Sequence, residues 1–235
     1  MRQGAAAAIA LGLAISAQVH AAPLDEPPGF DPRVMTVVAP GRVHFVKGGG
    51  GCPATGPACA DRAYVLTGDE VVAMSTDGDW VNAVFTGGAP HFRSTSGWLP
   101  RAALAESGGA AGRPADWAGM WESGDQQQIT IKPLPNHRAE VVGTATWGGD
   151  DPGRVARGGV NIGYFDTTIA LRGAVVTFTP SWDDGHPAVM DPPPDVKDCV
   201  LRLRQLGSYL VADDNGACGG MNVTFTGVYR RDTRN

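Results

Sequence analysis

The chain has 235 residues, 43% of them apolar, with 33 glycines and 18 prolines. Nineteen basic residues stand against 24 acidic ones, a formal charge of −5. Such a balance, with no basic cluster in the sequence, disfavours nucleic acid and anionic lipid as partners. The apolar share suffices for packed cores, so the Gly and Pro read as turn-rich β structure rather than disorder.

Arg2, the apolar run Ala5–Ala17 and the small-residue stretch Val19-His20-Ala21 read as a secretory signal peptide over residues 1–21. The run is shorter than the ~20 apolar residues a membrane span needs. Removing it takes Arg2 and no acid, leaving 18 basic against 24 acidic residues, or −6. No later stretch approaches spanning length, so the expectation is a soluble periplasmic or secreted protein without a membrane span. Residues 22–33 are Pro-rich and read as an extended N-terminal segment.

A first domain is expected over residues 34–106. Its strand candidates are Arg42–Lys47, Ala63–Leu66, Glu70–Met74, Trp80–Phe85 and Gly97–Pro100, with turns at Gly68-Asp69 and Asp77-Gly78-Asp79. Ser107–Pro114 has no apolar period and reads as a linker. A second domain follows over residues 115–232. Its strands are expected around Trp121 and at Gln128–Lys132, Ala139–Trp147, Gly159–Gly163, Thr167–Leu171, Ala174–Thr179, Cys199–Arg204, Ser208–Ala212 and Met221–Arg230. No segment after residue 21 carries a helical period. The predicted fold class is all-β: a small barrel followed by an antiparallel barrel of eight or nine strands.

The four cysteines allow three pairings. Cys52–Cys59 and Cys199–Cys218 are expected, each local to its own domain. In the second, the hairpin of Cys199–Arg204 and Ser208–Ala212 brings the two sulfurs together. Closing that loop is worth about 3 kcal/mol in the chain-entropy account. Zinc would need four converging ligands. Neither Cys pair is a CxxC and no His pair lies near, so no metal and no cofactor is expected.

Gly68-Asp69-Glu70, Asp77-Gly78-Asp79-Trp80-Val81, Ser96-Gly97-Trp98-Leu99 and the closing Ala102-Ala103-Leu104 resemble a bacterial SH3-like (SH3b) domain. The resemblance covers about a quarter of the chain. It implies an adaptor that contacts a wall peptide or a protein. An insertion, Gly48 to Cys59, departs from the pattern by enlarging an early loop. The opening Trp117-Ala-Gly-Met-Trp121 and the ending Cys218-Gly-Gly-Met-Asn-Val-Thr-Phe-Thr-Gly-Val-Tyr-Arg230 resemble calycin-like barrels of small secreted bacterial proteins. Periplasmic lysozyme inhibitors are among those.

Two sets of residues are candidates for binding. Trp80, Phe92 and Trp98 have the composition of a peptide or sugar groove. The loop Trp182–Asp195 is the longest irregular stretch of the second domain. It carries Trp182, Asp183, Asp184 and His186, then Asp191 and Asp195. Its oxygen ligands lack the alternation of a calcium loop. Trp117, Trp121 and Tyr229 are expected to close the barrel on itself. No catalytic residues are assigned. None of His44, His91, His137 and His186 lies beside a Gly-x-Ser-x-Gly elbow, and no phosphate loop is present. The expected function is a non-catalytic binding module of the cell envelope, whose SH3-like domain contacts a wall component or envelope protein. One alternative is a periplasmic inhibitor or immunity protein against a wall hydrolase of lysozyme or amidase type. A weaker one is a carboxylate-dependent hydrolase.

Overall fold

The computed structural model describes Phe30 and residues 32–87, 92–107, 113–124, 126–181, 186–193 and 196–233. The signal-peptide reading therefore lies outside the described residues, as does most of the extended segment.

The architecture is all-β. The first sheet holds β1 (Arg33–Val37), β2 (Arg42–Val46), β3 (Ala60–Leu66), β4 (Glu70–Asp77), β5 (Trp80–Thr86), β6 (Ser94–Pro100) and β7 (Leu104–Glu106), in the order β3-β2-β6-β5-β4-β1-β7. A single 3-10 turn, Arg101–Ala103, links β6 to β7. Each of the seven strands sends a side chain into one buried cluster: Met35, Val37, Phe45, Val65, Val71, Ala73, Val81, Ala83, Leu99 and Leu104. The sheet thus wraps around its own core. β1 and β7 escape the sequence reading because each is short, and Arg33–Val37 directly follows the Pro-rich stretch.

The second sheet has nine strands: β8 (Gly119–Ser123), β9 (Gln127–Leu134), β10 (Arg138–Trp147), β11 (Asn161–Ala170), β12 (Val175–Thr179), β13 (Val189–Met190), β14 (Leu201–Leu206), β15 (Tyr209–Asp214) and β16 (Gly227–Arg231). Their order is β11-β10-β9-β8-β16-β15-β14-β12-β13, antiparallel throughout. The first and last strands are neighbours, and the result is a nearly closed barrel. One-turn helices, α1 (Pro114–Trp117) and α2 (Pro152–Ala156), sit at connections. Asp151 caps α2 by accepting hydrogen bonds from the N–H groups of Gly153 (2.8 Å) and Arg154 (3.1 Å).

Three expectations are corrected here. The two strands expected at Gly159–Gly163 and Thr167–Leu171 are replaced by one ten-residue strand, β11, that overlaps both, because Gly163, Phe165, Thr167 and Ile169 keep a single alternating inward face. The ladder of the last strand starts at Gly227, not Met221. The carboxylate of Asp214 occupies the place of a ladder: it accepts from the Phe225 N–H, the Thr226 N–H (3.0 Å) and the Thr224 hydroxyl (2.6 Å). Val223 and Phe225 still reach the core, whereas Met221 is 78% exposed. Finally, the stretch 182–195 is not wholly irregular, since β13 lies within it.

The barrel core contains Trp117, Trp121, Phe165, Phe178, Phe225 and Tyr229. The expected inward role of Trp117, Trp121 and Tyr229 is met. The Trp121 indole N–H donates to the Trp117 carbonyl (3.0 Å), and the Tyr229 hydroxyl donates to the Phe225 carbonyl (2.6 Å). Both disulfides form as expected, Cys52–Cys59 and Cys199–Cys218. No helix among the described residues is long and apolar enough to cross a membrane.

A third buried cluster joins the two sheets. On β4, Val71 and Ala73 face inward while Val72 faces out. On β15, Leu210 and Ala212 face the barrel interior while Tyr209 and Val211 face out. Val72, Tyr209, Val211 and Val228 meet, flanked by Phe30, Val34, Met74, Val84 and Leu206. Polar contacts complete the junction. An Arg230 guanidinium N–H donates to the Thr86 carbonyl (3.1 Å), and the Gly124 N–H donates to the Phe92 carbonyl (2.8 Å).

Candidate functional site

The junction encloses a cleft of about 490 Å³, within the range of small-molecule sites. Its floor is apolar and comes from both domains: Phe30, Met74 and Val84 on one side, Val211 and Val228 on the other. Hydroxyls of Ser94, Ser96, Ser123 and Thr226 stand among them, with one carboxylate, Asp213. These side chains reach the cleft because β5 and β6 point Val84, Ser94 and Ser96 away from their own core, and β15 and β16 do the same with Val211 and Val228.

Asp213 is the polar focus of the cleft. Partial burial holds its pKa above the ordinary carboxyl value, and the neighbouring Asp214 adds to the rise. Arg202, directly across the ladder, opposes it, as does the Thr226 hydroxyl, which donates to Asp213 at 3.4 Å. An apolar floor with one adjustable acceptor suits an aliphatic or aromatic group that bears a cation or a hydrogen-bond donor.

The fold divides the residues proposed from sequence. Trp80 and Trp98 share the outward face of β5 and β6. Asn82 pairs with Trp98, and Trp80 pairs with Pro100, so the two indoles are diagonal neighbours. Both are half-buried. The disulfide-tied loop folds against Trp98: a Cβ on Gly48 would stand 2.7 Å from the Trp98 indole nitrogen, so only glycine fits there without a shift. Phe92 does not join them. It is 2% exposed, precedes β6, and its carbonyl accepts from the Gly124 N–H at the domain junction.

Trp182, Asp183 and Asp184 lie outside the described residues. His186 is exposed, and its carbonyl accepts from the Thr167 hydroxyl (2.8 Å) and the Thr168 N–H (3.3 Å). The Ala188 N–H donates to the Thr168 carbonyl (2.9 Å), and β13 then pairs with β12. This end of the loop therefore seals the barrel between β11 and β12. Asp191 lies 3.9 Å from Arg172. Among the described residues, no group of three or more His, Cys, Asp or Glu side chains is placed to hold a metal ion.

Sequence reasoning missed the cleft, although a signal for it exists. Val71-Val72-Ala73-Met74 and Tyr209-Leu210-Val211-Ala212 are continuous apolar runs rather than alternating ones. That pattern marks strands buried on both faces.

Fold and cleft define a two-domain, all-β, disulfide-bonded protein with a ligand-sized cavity at the domain junction. No family model matches the chain, and no curated protein or solved structure does.

Proposed function

We propose that the protein is a non-catalytic binding module of the cell envelope and that it takes its ligand in the cleft between the domains. The observation that carries this reading is the cleft's construction. Two separate cores each turn spare apolar side chains toward a shared cavity, and one partly buried carboxylate stands in it. The ligand is a wall component or an envelope protein that offers an apolar group with a nearby donor or cation. A blocking variant tests this. Ser96 lines the cleft yet is exposed, so Ser96→Trp fills the cavity without disturbing either core. Sedimentation with purified peptidoglycan and pull-down on purified lysozymes and amidases should show the parent binding one of these. Ser96→Trp should then bind at least tenfold more weakly. Equal binding by parent and variant, or a loss seen only with Trp98→Ala, would move the site to the Trp80–Trp98 face.

A second reading, an inhibitor of a wall hydrolase, has one observation in its favour. The barrel rim presents His186 and the 60% exposed Val189 on a segment fixed to β11 and β12. A pre-ordered rim loses little entropy on entering a cleft. Inhibition that survives Ser96→Trp but is lost with Val189→Asp would favour it.

A further inference from the structure

We propose that the outward face of the β2–β3 hairpin is a docking surface for a linear acidic polysaccharide. The sequence holds no basic run, yet the fold assembles one face from residues 20 apart. Val43, Phe45, Ala63 and Val65 point into the first core, so Arg42 and His44 on β2 and Arg62, Tyr64 and Leu66 on β3 point out. All five are exposed. The Arg42 guanidinium lies 4.6 Å from the Tyr64 ring centroid. Tyr64 and His44 are directly paired, with ring centroids 5.6 Å apart. This stacking holds Arg42 in place, so less freedom is lost when it meets an anion.

Arg42 stands opposite Leu66, four residues from Arg62 along β3. At about 3.4 Å per residue the two arginines leave the ribbon about 14 Å apart, with the aromatic pair between them. Lys47 has the parity of the inward Phe45 and stands near Asp61, so the face rests on Arg42 and Arg62. The acids nearby are turned to backbone donors: the Asp61 carboxylate accepts from the Ala63 N–H (3.0 Å) and that of Asp69 from the Leu66 N–H (2.7 Å). The Asp61 contact also occupies a donor on the outer strand β3, which disfavours strand addition there.

Size and charge select the partner. A face two strands wide falls short of the ~800 Å² per partner that a stable protein interface buries. Two arginines held apart on one hairpin meet few of a nucleic acid's phosphates, which recur every ~1.7 Å. Two cations add only ~1 kcal/mol each at an anionic bilayer. A narrow polymer with spaced anions needs few contacts, and repeated occupancy along it compensates for weak single sites.

The probe is polygalacturonate, measured by affinity electrophoresis at 50 mM and 500 mM NaCl, beside phosphatidylglycerol vesicles and single-stranded DNA. The parent should be retarded by the polysaccharide at low salt and released at high salt. Arg42→Gln with Arg62→Gln should bind at least tenfold more weakly, with an unchanged melting temperature. Arg138→Gln with Arg157→Gln, exposed cations on the barrel, should bind as the parent does. No retardation of the parent, equal binding by the Arg42/Arg62 pair, or stronger binding to vesicles or DNA than to the polysaccharide would each overturn the proposal.

Discussion

Gly143 and Phe165 face each other across β10 and β11, and a Cβ on Gly143 would lie 2.2 Å from the phenyl ring. The inward face of β10 is small throughout, with Ala139, Val141, Gly143 and Ala145, and this leaves room for Phe165 and its edge-on partners Phe178 and Phe225. Gly143→Ala should therefore overpack the barrel and cost about 1–3 kcal/mol, read from denaturant unfolding. The sequence contains this glycine without announcing it, because Gly inside a strand marks a close approach but does not say of what. Asp213 acts through pH. Its folded pKa is raised, mainly by burial, so its contribution to stability is fully present below the ordinary carboxyl value and is lost as pH rises through the raised one. Asp213→Asn removes that loss. The variant should melt above the parent at pH 7 and level with it near pH 3, in paired thermal scans. A ligand cation in the cleft would reverse the order at pH 7 when ligand is present.

The segment between β15 and β16 shows how a side chain replaces a strand. Asp214 supplies acceptors to Thr224, Phe225 and Thr226 with one oxygen and to the Gly216 N–H (2.7 Å) with the other. Gln127 reaches the same segment by donating to the Thr224 carbonyl at 2.7 Å. Asp214→Ala leaves several backbone donors without an acceptor, a cost of about 1–3 kcal/mol for each buried one. Hydrogen exchange should speed up at Phe225 and Thr226 while Leu203 and Leu210 stay protected. Alternation in Met221–Arg230 puts Met221, Val223, Phe225 and Tyr229 on one face; the last three are buried, because burial depends on side-chain direction, whereas Met221 is exposed. It could not reveal the missing ladder, since an acidic residue ten positions earlier supplies the bonds. The hairpin to β14 was legible because Gly207 adopts positive φ at a tight turn. β13 was not, as two residues carry no period.

Two cores with a shared apolar junction make the domains one mechanical unit. The linker reading foresees domains free to part. Residues 108–112 lie outside the described set, but Val72, Tyr209, Val211 and Val228 are at most 4% exposed, and Tyr209 is buried enough to push its phenol pKa up to about 12. Val228→Glu places a charge in that junction without touching the inward face of β16. It should cost more than about 2 kcal/mol and split one calorimetric transition into two. A single transition at an unchanged temperature would show that the junction adds little. Five of the first domain's seven strands and both disulfides could be read from local pattern and spacing. The junction and cleft could not, because they depend on how two outward faces meet.

Pairing β8 with β16 has a kinetic meaning. Arg231 must find Trp121 across more than a hundred intervening residues before the barrel can close. Contacts so distant in sequence slow folding, since the entropy of a large loop is lost before any bond forms. Until β16 arrives, Val72, Met74, Tyr209 and Val211 remain uncovered on both halves. A chain shortened to end at Gly220 should reach a compact state quickly, bind an apolar dye and self-associate. Supplying Met221–Arg231 as a free peptide should suppress both behaviours. Continued dye binding in the presence of the peptide would mean that the last strand is a late ornament on a barrel already formed.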